Sequence, residues 1–99
     1  MSAKLSPSLE AAGELLKTLA APVRLAIVLE LAQRPLYVHD LVDALGASQS
    51  LVSQHLRVLR SAHLVAGSRQ GREIEYRLVD EHVAHIVQDA IRHSEEGKA

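Results

Sequence analysis

The sequence contains no cysteine, no tryptophan and no phenylalanine, and its aromatic rings beyond histidine are two tyrosines. Without thiols there is no disulfide, no thiolate nucleophile and no thiolate metal site, so any metal held by this chain must be bound through nitrogen and oxygen. Aromatic residues amount to 2% against 47% hydrophobic residues overall, which argues against an aromatic-lined pocket. The core must then be built from Leu, Val, Ile and Ala, as in compact helical proteins. No apolar run approaches the roughly 18 residues needed to cross a bilayer. The stretch Met1 to Pro7 lacks the basic and apolar blocks of a signal peptide. A soluble, cytoplasmic protein is expected.

Charge of one sign is not in excess, since the formal net charge is −1, but the charges are unevenly spread. From Ser48 to Arg77 they are Arg57, Arg60, Arg69, Arg72 and Arg77 against Glu73 and Glu75; from Asp80 to Glu96 they are Asp80, Glu81, Asp89, Glu95 and Glu96 against Arg92. The first segment suits phosphates and the second suits a cation. With 99 residues there is room for one domain, spanning 1–99. A domain this small buries a modest fraction of its surface, so a partner subunit would add to its stability.

Hydrophobic spacing places a first helix over Ser8 to Ala20, with Leu9, Ala12, Leu15, Leu16 and Leu19 as its stripe and Ser6 and Pro7 as start signals. Pro22 suits the first turn of a second helix, whose inner residues are Val23, Ile27, Val28 and Leu31 and which should stop before Pro35. Val38 to Leu45 reads as a short helix ended by Gly46, a residue free to take the left-handed conformation. Ser48 is a good N-cap for a fourth helix running to about Ala62, with Leu51, Val52, His55, Leu56 and Leu59 on its inner side. The period then changes to strand-like runs, Leu64 to Arg69 and Glu73 to Val79, on either side of a tip at Gln70-Gly71. Asp80 caps a last helix to about Glu95, with Val83, Val87, Ala90 and Ile91 on its apolar side.

The predicted fold is mainly α with a small β-hairpin, in the order α-α-α-α-β-β-α, which is that of a winged helix-turn-helix domain. The run Leu45-Gly46-Ala47-Ser48-Gln49-Ser50-Leu51-Val52-Ser53-Gln54-His55-Leu56, with Leu59-Arg60, His63-Leu64-Val65 and the earlier Leu19-Ala20-Ala21-Pro22-Val23-Arg24, strongly resembles the ArsR/SmtB metalloregulatory repressors. The resemblance extends from about Leu15 to Glu96. It implies a homodimer that represses a promoter when metal-free.

Ser48, Gln49, Ser50, Ser53, Gln54 and Arg57 lie towards the start of the fourth helix, where a recognition helix meets base edges in the major groove of double-stranded operator DNA. Gln pairs with adenine, Arg with guanine, and Ser with base edges or phosphate. Arg69, Gln70 and Arg72 surround the hairpin tip, where a wing would bring guanidinium groups to phosphates or a minor groove. The alternative for the wing is a plain ion pair from Arg69 or Arg72 to Glu73 or Glu75 across the hairpin. His55 and His63 are read as packing or capping residues.

On the last helix, at about 100° per residue, His82, His85, Asp89, His93 and Glu96 share one stripe. His82 and His93 are eleven positions apart, roughly 16 Å along a helix, whereas zinc bonds are about 2.0–2.2 Å long. One helix cannot close both ends around one ion, but two antiparallel copies related by a two-fold axis can. Asp80 and His82 of one subunit would then meet His93 and Glu96 of the other in a set that suits tetrahedral Zn(II), with Co(II) or Ni(II) as further candidates. The resembled family's zinc-sensing members carry an Asp-x-His…His-x-x-Glu or His-x-x-His pattern here, and this chain matches the former at every position.

In this arrangement His85 and Asp89 are bystanders; a local site of His82, His85 and Asp89 within one helix is the competing arrangement, separable by replacing His93. The resemblance also implies a relay, in which His93 ligates through one ring nitrogen and donates through the other to a backbone carbonyl near His63. Metal binding would then release the promoter of an efflux or sequestration gene. A metal-independent repressor whose histidine stripe serves dimer packing is the other reading. No nucleophile arrangement or phosphate loop points to an enzyme.

Overall fold

The ends of the helices are set by residues standing at the junctions. In the computed structural model, which describes residues 5–97, the order is α1 (Pro7–Leu19), α2 (Pro22–Gln33), β1 (Leu36–Tyr37), α3 (Val38–Leu45), α4 (Gln49–Ser61), β2 (Val65–Gln70), β3 (Glu73–Leu78) and α5 (Glu81–Glu96). Residues 1–4, part of the stretch inspected for a signal peptide, and 98–99 lie outside the described residues. The Ser6 hydroxyl accepts from the Leu9 N–H at 3.1 Å, Ser48 from Leu51 at 3.1 Å and the Asp80 carboxylate from Val83 at 3.2 Å. Each satisfies an N–H that a helix start leaves without a partner. Gly46 ends α3 at φ 65°, and its N–H donates to Val42 at 2.9 Å.

His63 holds the equivalent position after α4, with φ 60°. Its N–H donates to the Arg60 carbonyl at 3.0 Å and that of Leu64 to Leu59 at 2.9 Å, the paired bonds of a left-handed helix cap, with Leu59 and Leu64 both buried. This is the capping role expected of His63.

The sheet has the order β1-β3-β2, entirely antiparallel, where the sequence had suggested a hairpin alone. The added strand, β1, follows Pro35, which cannot extend a helix, and pairs Leu36 with Tyr76 and Tyr37 with Glu75. The hairpin tip is Gly71-Arg72, one residue later than expected, because Gln70 still pairs with Glu73 and Gly71 takes φ 65°. A Cβ at Gly67 would stand 2.8 Å from Ile74 Cγ2 and 3.3 Å from Tyr76 Cε1. Gly67→Ala is therefore expected to cost about 1–3 kcal/mol by overpacking, read as a lower urea midpoint at unchanged slope; an unmoved midpoint would mean that the hairpin yields there without penalty.

The core gathers Ile27, Val28 and Leu31 of α2, Leu41 of α3, Val52, Leu56 and Leu59 of α4, and Val83 and Val87 of α5, with Leu19, Leu36, Leu64 and Val65. No polar side chain among the described residues is buried. Several expected inner positions lie outside, Ala12 and Ala90 among them. Leu51 is 36% exposed, because it sits about 100° around α4 from Val52 and misses the core, and α1 leaves Leu9 and Leu16 at 61% and 55%. Only Leu19 of the α1 stripe is buried within the protomer, since α1 meets the rest of the chain mainly through its last turn. No described helix is long and apolar enough to cross a membrane.

Candidate functional site

Helix α4 presents Gln49, Ser53, Arg57 and Arg60 on one face, a spacing that keeps them within about a quarter turn of each other. They form one wall of a groove of about 530 Å³ whose other wall is the wing, with Arg72, Glu73, Ile74 and Tyr76, and whose end is closed by Val38 and His39 of α3. Gln49, Ser50, Ser53, Gln54 and Arg57 also border a shallower hollow alongside. The structure thus brings the expected helix residues to one surface, with Ser48 at its edge as the α4 cap. Arg69 and Gln70 lie exposed near the wing tip, where the Gln70 amide donates to Ser68 Oγ at 3.3 Å.

Arg60 was not among the expected contacts, although its position three residues after Arg57 was the signal that could have found it. Among the described residues, the arginine found in an ion pair is Arg92, with Asp89 at 3.4 Å. The cross-hairpin pairs from Arg69 or Arg72 to Glu73 or Glu75 are not formed. Glu73 turns instead to His39 at 3.0 Å, a contact between residues 34 positions apart that no local spacing announces.

Arg24 holds α4 in place from behind. Its Nε donates to His55 Nδ1 at 3.1 Å and its Nη1 to the Thr18 carbonyl at 2.8 Å, joining the end of α1 to α4. His55 is accordingly a structural acceptor, half-buried and turned away from the groove lining.

Along α5 the residues His82, His85, Asp89, His93 and Glu96 are all exposed, opposite the buried Val83, Ala84 and Val87. The His82 side chain is 87% exposed, with Nδ1 3.7 Å from Asp80 Oδ1. Asp80 uses that same oxygen to cap the helix. Among the described residues, no three His, Asp or Glu side chains of one protomer gather as a metal site, the local set His82, His85 and Asp89 included. The donors at the two ends of α5 are nevertheless of the right chemistry, imidazole and carboxylate, and open to solvent. His63 and His93, the ends of the expected relay, lie just past α4 and in the last turn of α5.

Two helices joined through a glycine turn, followed by an antiparallel wing that flanks an arginine-lined groove, define a winged helix-turn-helix protein. The pattern described as "Bacterial regulatory protein, arsR family" matches residues 21–66. The chain is 60% identical over 88 residues to the HTH-type transcriptional repressor SmtB of Mycobacterium tuberculosis, covering 89% of this chain and 65% of the relative. It is 52% identical to the HTH-type transcriptional regulator NmtR of the same species, over 81% of this chain and 67% of that one. Among solved structures it superposes with a TM-score of 0.81 and 28% identity on Mb0332 from Mycobacterium bovis, a homodimeric winged helix-turn-helix DNA-binding domain, covering 98% of this chain and 93% of the other. The chain belongs to the ArsR family of bacterial regulatory proteins, a family of transcriptional regulators and not of enzymes. It spans 65% of the length of the SmtB relative.

Proposed function

We propose that this chain is a metal-responsive repressor, one domain that binds operator DNA as a metal-free homodimer and lets it go when Zn(II), or Co(II) or Ni(II), occupies a site between subunits. The observation that carries this reading is the placement of Asp80 and His82 at one end of an exposed face of α5 and of His93 and Glu96 at the other. The names of the SmtB and NmtR relatives, a repressor and a regulator, support the DNA-directed half of it.

Gln49, Ser50, Ser53, Gln54 and Arg57 read the major groove, Ser48 and the groove arginines contact phosphate, and Arg69, Gln70 and Arg72 extend the contact from the wing. Paired antiparallel, two α5 helices set Asp80 and His82 of one protomer beside His93 and Glu96 of its partner. When bound, the ion supplies a cross-link between subunits. His93 donates its second ring N–H towards the carbonyl end of α4 near His63, orienting its imidazole and tying the site to the recognition helix. The spacing of the two recognition helices is thereby fixed, and metal and operator oppose each other equally in both directions.

The test is a titration of zinc, cobalt and nickel into the protein bound to its selected operator. Operator affinity is expected to fall about 5–150-fold, the usual range of coupling between two sites. Affinity unmoved by all these ions would leave a metal-independent repressor.

A further inference from the structure

Glu73 is the carboxylate of the groove between α4 and the wing, standing directly after Arg72 at the turn. Left free there, it would have the Arg57, Arg60 and Arg72 guanidiniums as neighbours and would compete with a phosphate for them. The structure keeps it elsewhere. Glu73 Oε1 lies 3.0 Å from His39 Nδ1, at the start of α3. The imidazole is itself held from other sides: Nε2 is 3.5 Å from Asp40 Oδ1, and the Tyr37 ring stacks on it at 5.5 Å and 9°. Asp40 is in turn fixed by accepting the Tyr37 N–H through Oδ2 at 3.0 Å. A chain of contacts thus runs from β1 and the first turn of α3 to the tip end of the wing.

We propose that His39 is a positioning residue for DNA binding, a role that rests on the DNA-binding reading: it draws the Glu73 carboxylate against α3 and leaves the groove arginines free for phosphate. In this role the His39 ring carries its proton on the nitrogen that faces Glu73, Nδ1, 3.0 Å from Oε1. The side chains of His39 and Glu73 are 60% and 55% exposed, so this bond adds little to folding stability. Its effect lies in the count of cations available to the nucleic acid. Each phosphate contact contributes about 0.9 to the slope of log affinity against log salt, equivalent to about 5-fold in affinity near physiological salt.

The experiment uses the full chain and a duplex that the wild-type protein selects from a random-sequence pool, with affinity measured across a salt series. His39→Ala is expected to bind about 5-fold more weakly with a slope shallower by about 0.9, as one phosphate contact is lost to Glu73. Adding Glu73→Gln to it should restore both affinity and slope, because the freed side chain no longer carries charge. His39→Asn, whose amide donates from nearly the same place as Nδ1, should bind like the wild type. A double variant as weak as His39→Ala would overturn the proposal and make the contact a simple wing strut; an unweakened His39→Ala would overturn it as well. Wild-type protein that selects no duplex at all would instead sink the DNA-binding reading and this role with it.

Discussion

A protomer carrying His82→Ala, mixed with one carrying His93→Ala, is expected to recover zinc binding that neither variant shows alone. Each homodimer of a single variant lacks an imidazole in both of its symmetry-related sites. In the mixed dimer the geometry sorts the losses: one site receives both substitutions, and the other is left with His82 from one chain and His93 from the other. Loss of a ligand should exceed the 10–100-fold weakening typical of removing a residue that merely supports a ligand, so the recovery is large and countable as metal bound per dimer. Equilibrium dialysis of the separate and mixed proteins reads it directly. A local site of His82, His85 and Asp89 predicts otherwise: His93→Ala would bind by itself, and mixing would add nothing.

The second large effect concerns folding. Leu56 is 1% exposed in the middle of α4, within the core cluster. Leu56→Ala removes buried methyl groups and leaves a cavity that the rest of the core cluster fills only in part, so a loss of about 2–5 kcal/mol is expected. Small domains have roughly 5–15 kcal/mol in all, so the variant should melt far earlier and bind DNA only as its folded fraction allows. Leu51→Ala, on the same helix but 36% exposed, is the control and should cost much less. Equal losses for the two in urea unfolding would show that the face of α4 taken as buried is wrong.

The parts of the fold legible in the sequence were those encoded locally. Ser6, Ser48 and Asp80 were visible as caps because a side-chain oxygen a few residues ahead of an apolar repeat has a defined task, and each performs it. Gly46 was readable for the same reason. The strand Leu36–Tyr37 was not, since two residues show no alternation and its partner, Tyr76, is forty positions away. Leu9 and Leu16 had the right spacing for a buried stripe, yet periodicity reports only that a face is apolar, not which body covers it. Of the candidate site, the α4 residues could be read from spacing on a helix, and Arg60 could have been added by the same rule. The α5 stripe was equally plain, with its division between two ends. What remained hidden were contacts between distant segments, Arg24 with His55 and His39 with Glu73, because nothing in either local sequence requires the other.

The interior described above holds neither a ring nor a hydrogen-bonding side chain, only Leu, Ile, Val and one Ala. Such a centre is specified by volume alone, with no directional bond to misplace. Isomeric exchanges between branched aliphatic residues that conserve size cost little there. Exchanges that keep the volume, such as Ile for Leu with repacking, should therefore be tolerated together in this interior, whereas a change of size or a buried polar atom should not.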